Sequence, residues 1–363
     1  MISFALTDEQ QTARESMRAF AAAALRPKAR ECDEASAIPE AFYSQAWELG
    51  LVPTQLPEAV GGYGAPRSPL TNAIVLEELA YGDAALALAA VGPALFAYAI
   101  ADQGTPEQQQ AYLPALCGDR YQAASLAVAE PHATFDAFAP RTTLERNGSG
   151  YVLRGGKCAV PLADRAGHFL VVAREGDALV AAIVARDAAG LTIRDDKTLG
   201  LKALPLATLE LDGVRVAAGD RLGGHAGADV ARLLAHSRVA VAAILTGLSR
   251  AVIDYCIPYT KERVAFGEAI ARKQSIAFRL AEMQMEVDCM RWMTWKAASQ
   301  LEYGHDATRA AHLARTYTAE KGMWIADNGV QCLGGHGFIR EHPVELWYRN
   351  ARTLGVLEGL AGV

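Results

Sequence analysis

The sequence predicts an α+β chain in three units: an N-terminal all-α domain over 1–118, a middle, mostly antiparallel β domain over 119–227, and a C-terminal all-α domain over 228–363. Three observations carry this. Thr7-Asp-Glu-Gln10 and Thr105-Pro-Glu-Gln108 are capping boxes, in which a hydroxyl and an amide satisfy orphan backbone groups at a helix start, and helical apolar spacing follows each. From about Tyr121 the pattern turns to short apolar or alternating runs punctuated by turn residues, the mark of antiparallel strands. After about Gly227 helical spacing returns, as in Ile276, Leu280, Met283, Val287 and Met290.

In chain order, Ala84 to Ala101 carries no charge and approaches the roughly 18-residue length of a membrane span. Gly92-Pro93 interrupts it, so it reads as two buried helical segments, with alanines expected to leave room for a bulky group. Pro106 takes the first position of the next helix, where a missing N–H costs least. Three hairpins are expected in the middle unit: across Asn147-Gly-Ser-Gly150, across Gly176-Asp177, and across Asp212-Gly213 between Thr208–Leu211 and Val214–Val216. No G-x-G-x-x-G follows a strand, which disfavours a Rossmann sheet and nicotinamide chemistry.

Composition narrows the function further. The 363 residues are 51% hydrophobic and 21% charged, enough for a sizeable core. A net charge of -6 and a pI near 5.8, with lysines and arginines scattered, leave nothing to neutralise a phosphate backbone, so nucleic acid is not an expected partner. The six cysteines are far apart and form no C-x-x-C pair, which fits reduced thiols in a cytoplasmic protein and no zinc or other metal. Asp8 and Glu9 interrupt the opening residues before a signal peptide can develop, so no export is expected.

The motifs that carry chemistry lie mostly near the C-terminus: Gln331-Cys-Leu-Gly-Gly-His-Gly-Phe338, Glu341-His-Pro-Val-Glu-Leu-Trp-Tyr-Arg-Asn350 and Leu357-Glu358-Gly359. With Tyr259-x-x-x-Arg263-x-x-Phe266-Gly267, Gln274, the early Glu48-Leu-Gly-Leu51 and Gly61-Gly-Tyr-Gly64, and Gly104 to Pro114, they resemble the acyl-CoA dehydrogenase family over nearly the whole chain. The resemblance implies an antiparallel β-barrel for the middle domain and a four-helix-bundle-like C-terminal domain, with FAD as cofactor, an acyl-CoA as substrate and an electron-transfer flavoprotein as acceptor. It also implies a tetramer, either of one chain or with a paralogous subunit, and no membrane.

In that family the glutamate before glycine is the base, which places the role on Glu358. An α C–H beside a thioester is a very weak acid, so its removal needs a positioned base, donors for the developing enolate oxygen and exclusion of water. Gly359 lets the chain turn, and the Glu358 N–H can donate to the thioester carbonyl. Read without the preceding run, Glu358 is a surface glutamate near the end of the chain. Ala235, His236 and Ser237 supply no carboxylate where some relatives carry their base.

The resemblance assigns the remaining site residues. Arg263 and Phe266, three apart, are expected on one helix face, the arginine reaching the FAD pyrophosphate and the phenylalanine packing by adenine across a subunit interface. A surface ion pair beside a core aromatic is the alternative. Gln274, Gln331, Gly334 and Gly335 would approach the neighbour's cofactor, glycine permitting close contact; a helix-capping turn is the competing account. Val128, Ala129, Thr134, Ala159 and Pro161 face the chain's own flavin. Gly359, Phe135 and Arg238 border the substrate, although Arg238 could equally be solvated.

The pattern breaks on the chain's own flavin side. The family's Thr-Glu-Pro-x-x-Gly-Ser-Asp reads Ala129-Glu-Pro-His-Ala-Thr-Phe135-Asp136, so two hydroxyls are gone. Where relatives set a tryptophan and a threonine against the flavin ring, this chain has Lys157-Cys-Ala159-Val-Pro161, and proline cannot donate. After Glu358-Gly359 the expected threonine is Leu360 and its polar follower Gly362, and the chain continues only to Val363, which suggests a cut chain or a more open cleft. Either backbone donors replace the hydroxyls in an ordinary homotetramer, or this chain is the flavin-poor half of an α2β2 dehydrogenase. An oxidase-like flavoenzyme on the same scaffold is a further reading.

Overall fold

The N-terminal helices start where their caps place them. A computed structural model describes residues 5–363, and Met1–Phe4, where no export signal is expected, lies outside the described residues. Both capping boxes form: Thr7 and Gln10 exchange side chain and backbone bonds at the head of α1 (Asp8–Phe20), and Thr105 and Gln108 do so ahead of α7 (Pro106–Tyr112). Between them run α2 (Ala29–Ala35), α3 (Glu40–Trp47), α4 (Pro69–Gly82), α5 (Ala84–Ala90) and α6 (Ala94–Gln103). The break at Gly92-Pro93 falls as expected, and α5 and the first seven residues of α6 are wholly buried.

The middle domain is a curled seven-stranded sheet, with β1 (Ala124–Ala127), β2 (Thr143–Asn147), β3 (Gly150–Pro161), β4 (His168–Glu175), β5 (Ala178–Ala185), β6 (Leu191–Asp195) and β7 (Leu206–Val216). Its order is β1-β4-β2-β3-β7-β6, with β5 also on β4. The β2–β3 and β4–β5 hairpins are those expected, while β4 pairs in parallel with β1 and β2. The third expected hairpin does not form. Asp212-Gly213 lies inside β7 as a bulge: Leu153 pairs Val214 and Gly155 pairs Leu211, so two residues of β7 oppose Arg154 alone. Gly213 takes φ +68, and the same Asp-Gly signature that closes a hairpin here bends a continuous strand.

The C-terminal domain packs α9 (Gln274–Glu302), α10 (Thr308–Leu333) and α11 (Val344–Val356) around α8 (Val230–Glu262). α8 is long and apolar enough to cross a membrane, but 78% of its most apolar window is buried inside the protein. It also meets α4 closely: a Cβ at Gly247 would lie 2.1 Å from the Glu77 carbonyl oxygen. Charge reinforces this crossing. Arg250 reaches Glu77 at 2.9 Å and Glu78 at 2.5 Å, Arg291 of α9 reaches Glu77 at 2.8 Å, and Arg18 of α1 reaches Glu78 at 3.0 Å. On α9 the expected face is buried at Met283, Val287 and Met290.

Candidate active site

Glu358 is placed by a turn that only glycine fits. α11 ends at Val356, Leu357 is extended, and Gly359 adopts φ +80, where a Cβ would stand 2.7 Å from Val128 Cγ2. The terminal segment therefore lies directly on the strand end that leads into Ala129 and Glu130. The Glu358 carboxylate meets Arg238 of α8, with Oε1 3.2 Å from both Nε and Nη2. Their side chains are 9% and 19% exposed for arginine and glutamate, so the pair is largely shielded from water. Phe138 lies over the guanidinium at 5.0 Å. Arg238, expected beside substrate, is thus first of all the partner of the proposed base.

The sheet side of the site is held by a buried ion pair. Lys157, fully buried, donates to Glu130 at 2.9 Å and to the Val128 carbonyl at 3.0 Å. Glu130 also accepts from the Thr142 N–H and hydroxyl and from the Arg141 N–H. Burial works against the Glu130 charge, but Lys157 and Thr142 outweigh it and hold the carboxyl down at about 2. Burial alone pushes Lys157 downward against the pull of Glu130. Four donors on one carboxylate favour the charged pair.

The residues expected on the chain's own flavin side are mostly engaged elsewhere. Val128 and Ala129 are buried, and their carbonyls accept from Lys157 and from the Cys158 N–H. Ala159 takes φ +52, a left-handed conformation that costs a non-glycine residue about 1–2 kcal/mol, and its N–H donates to Asp196 at 2.8 Å. Pro161 offers only its carbonyl, which accepts from the Ser125 hydroxyl. The Thr134 hydroxyl accepts from Arg141 at 3.2 Å, and half-buried Phe135 packs edge-on against His132. A flavin dinucleotide needs donors to ring and phosphates, and this face supplies few from side chains.

The opposite set is exposed and free. Arg263 and Phe266 do not share a helix: α8 stops at Glu262, Arg263 is its extended cap, and Phe266-Gly267 turns a hairpin between β8 (Val264–Ala265) and β9 (Glu268–Ala269). Phe266 and Gly267 have φ +53 and +85, the two left-handed positions of a tight hairpin turn, which a helix cannot provide. Phe266 is 94% exposed, and among the described residues Arg263 has no ion-pair partner. Gln274 begins α9 in the open, and Gln331 is exposed near the end of α10. Gly334 and Gly335 face open space within 4 Å. Their turn is fastened to α8 by Tyr259 on His336 Nδ1 at 2.9 Å and Tyr255 on His342 Nδ1 at 2.7 Å. This face therefore presents an exposed guanidinium and an exposed aromatic ring beside an open glycine turn.

Near the terminal segment, the alanine-rich helices leave little space. A cavity of about 20 Å³ borders Val91, Ala94, Tyr98 and Gly362, and a Cβ at Gly92 would strike Leu162 Cδ1 at 2.1 Å. Small residues here are closely packed by their neighbours' side chains and do not open a large pocket. Clefts of about 630 Å³, between α1 and α9, and about 590 Å³, between Tyr43 and Lys202, lie away from Glu358. Two contributors were not singled out from sequence: Asp196, which holds Ala159, and Arg315, which reaches the turn before Glu358. A cation among Ala311, Ala314 and Thr318 on a buried helix face was the available signal for Arg315.

A curled sheet between two helical domains, with a glutamate-glycine turn laid on the sheet's edge, defines the architecture. Three family models match it: the N-terminal domain of acyl-CoA dehydrogenase over 7–119, the middle domain over 125–214 and the C-terminal domain over 226–363. The Bacillus subtilis protein named "Probable acyl-CoA dehydrogenase YngJ" is 33% identical, with 100% of this chain and 97% of that protein covered. Butyryl-CoA dehydrogenase from Megasphaera elsdenii superposes with a TM-score of 0.88 at 28% identity, covering 99% of this chain and 96% of its own. A glutaryl-CoA dehydrogenase in complex with glutaryl-CoA gives 0.87 at 29%, covering 97% and 92%. The chain belongs to the acyl-CoA dehydrogenase family of enzymes.

Proposed function

We propose that the chain carries out the flavin-dependent α,β-dehydrogenation of an acyl-CoA thioester, with Glu358 removing the α proton. The observation that carries this is the seating of Glu358: the Gly359 turn that follows it packs on Val128, and Arg238 holds its carboxylate at 3.2 Å in a largely shielded corner. Entry of a thioester would loosen the Arg238 contact and free an oxygen of Glu358 for the proton. Phe138 lies over the guanidinium of this pair at 5.0 Å. FAD, when bound, supplies the acceptor for the β hydride. Arg263, Phe266, Gln274, Gln331 and the Gly334-Gly335 turn would hold the dinucleotide of a neighbouring subunit, which calls for a tetramer. An electron-transfer flavoprotein in the cytoplasm would then take the electrons. The test is Glu358→Gln in the purified assembly, which should abolish turnover of acyl-CoA and leave acyl-CoA binding intact; retained turnover removes Glu358 from the role.

One observation favours a second reading, a flavin-poor subunit of a heterotetramer. The chain's own flavin face lacks three hydroxyls at Ala129, Phe135 and Pro161, and the Ala159 N–H is bound to Asp196. Under this reading the chain purified alone is colourless and becomes yellow only with a paralogous partner. Under the first it is yellow by itself.

A further inference from the structure

We propose that Arg315 is the positioning residue for Glu358, clamping the end of α11 onto α10; the proposal rests on the reading of Glu358 as the base. Arg315 is 6% exposed on the inner face of α10. A cation there is costly unless its N–H groups are engaged. Its Nη2 donates to the Leu354 carbonyl at 2.8 Å and to the Leu357 carbonyl at 2.7 Å. Leu354 belongs to the last turn of α11, whose carbonyls have no acceptor role left within the helix, and a cation there also complements the helix dipole. Leu357 is the extended residue immediately before Glu358, at φ -96 and ψ 150. A single nitrogen therefore ties both ends of the short stretch that delivers the carboxylate.

The charge fits the same role. Among the described residues no carboxylate forms an ion pair with Arg315, and Nε has no hydrogen-bond partner. Burial pushes its pKa down, Glu358 pulls it back up, and Arg238 opposes it. Glu358 is thus flanked by two cations from different helices. Arg238 touches it directly, while Arg315 fixes its backbone.

The test uses Arg315→Gln and Arg315→Lys in the intact assembly, with two readouts: amide exchange over 354–359 without substrate, and steady-state turnover of an acyl-CoA. Misplacing a reacting group by about 1 Å costs about 100-fold. R315Q should speed exchange at 354–359 severalfold and lower kcat about 10- to 100-fold, with KM within about twofold, and R315K should fall between it and wild type on both. Either readout moving without the other overturns the proposal, as does R315Q matching wild type on both. Should R315Q fail to fold, R315K decides, since an ammonium bridges two carbonyls less well than a guanidinium; exchange unchanged from wild type then overturns it. E358Q serves as control. If E358Q turns over like wild type, the base assignment is what fails, and exchange alone judges the clamp.

Discussion

Replacing Arg238 by leucine removes the partner of a carboxylate that has little water to fall back on. Exposed ion pairs contribute about 0–1 kcal/mol, whereas breaking a buried pair costs about 3–5 kcal/mol, because the remaining charge is stranded. Side chains 9% and 19% exposed, meeting at 3.2 Å, put this pair near the buried limit, at about 3 kcal/mol. With an unfolding entropy of about 2.1 cal/mol/K per residue, the 363-residue chain has about 0.76 kcal/mol/K in all, so the melting temperature should fall by about 4 °C. Glu358→Leu should cost about as much, since it strands Arg238. The double variant replaces both charges with apolar groups of similar size, a change that is close to neutral for buried pairs, so it should melt within about 1 °C of wild type. Scanning calorimetry of the four proteins reads the cycle directly. A double variant that falls by the sum of the singles, about 8 °C, would refute the claim that these side chains depend on each other.

Two further outcomes follow from the same geometry. Gly359→Ala meets both a left-handed backbone at φ +80 and Val128 Cγ2 at 2.7 Å, so it should shift Glu358 and lower turnover at least about tenfold, and adding Val128→Ala should restore only part, because the backbone strain persists. Glu130 titrates at about 2 when folded against 4.5 as its ordinary value, so the unfolded state binds more protons in between; its stabilisation is complete above about pH 4.5 and is lost as pH falls through about 2. Glu130→Gln should therefore be less stable than wild type by about 3–5 kcal/mol at pH 7, with Lys157 left unpaired, and calorimetry should show that gap narrowing between pH 4.5 and 2. A gap independent of pH would show that Glu130 is not the group responsible.

What could be read from sequence was whatever rests on local rules. Capping boxes at Thr7 and Thr105 and the break at Gly92-Pro93 depend on residues within one turn of each other, and each formed where expected. Asp212-Gly213 and Phe266-Gly267 were misread for one reason. A residue pair able to adopt left-handed backbone fits a hairpin turn, a strand bulge or a helix-ending loop, and only the partner strand chooses. For Asp212-Gly213 that partner is β3, sixty residues upstream; for Phe266-Gly267 it is the two-residue strand that follows. The site divides similarly. Glu358 and Gly359 were legible as a motif, but the engagement of Arg238 with Glu358, and of Ala159 with Asp196, are long-range contacts that no spacing encodes.

The weakened flavin face then becomes a question of magnitude. Each missing hydrogen bond costs about 0.5–1.5 kcal/mol, so the hydroxyls absent at Ala129, Phe135 and Pro161 together cost about 1.5–4.5 kcal/mol, or roughly 10- to 2000-fold in affinity. A dinucleotide bound at nanomolar strength would survive the lower figure and be lost on purification at the upper one. Ala159 bears on which applies. Its left-handed backbone is a strain of about 1–2 kcal/mol that persists only because something holds it, and Asp196, itself fixed by Thr208 at 2.7 Å, does so. The Ala159 N–H is thus already bound within the protein and is not free to replace a lost hydroxyl. On the other face Phe266 also has left-handed backbone, and there the conformation is set by the β8–β9 hairpin it turns, with Val264 paired to Ala269 and Ala265 to Glu268, while its ring is 94% exposed. The two left-handed residues therefore differ in what they leave open: the Ala159 N–H is already bound to Asp196, whereas the Phe266 ring stands exposed.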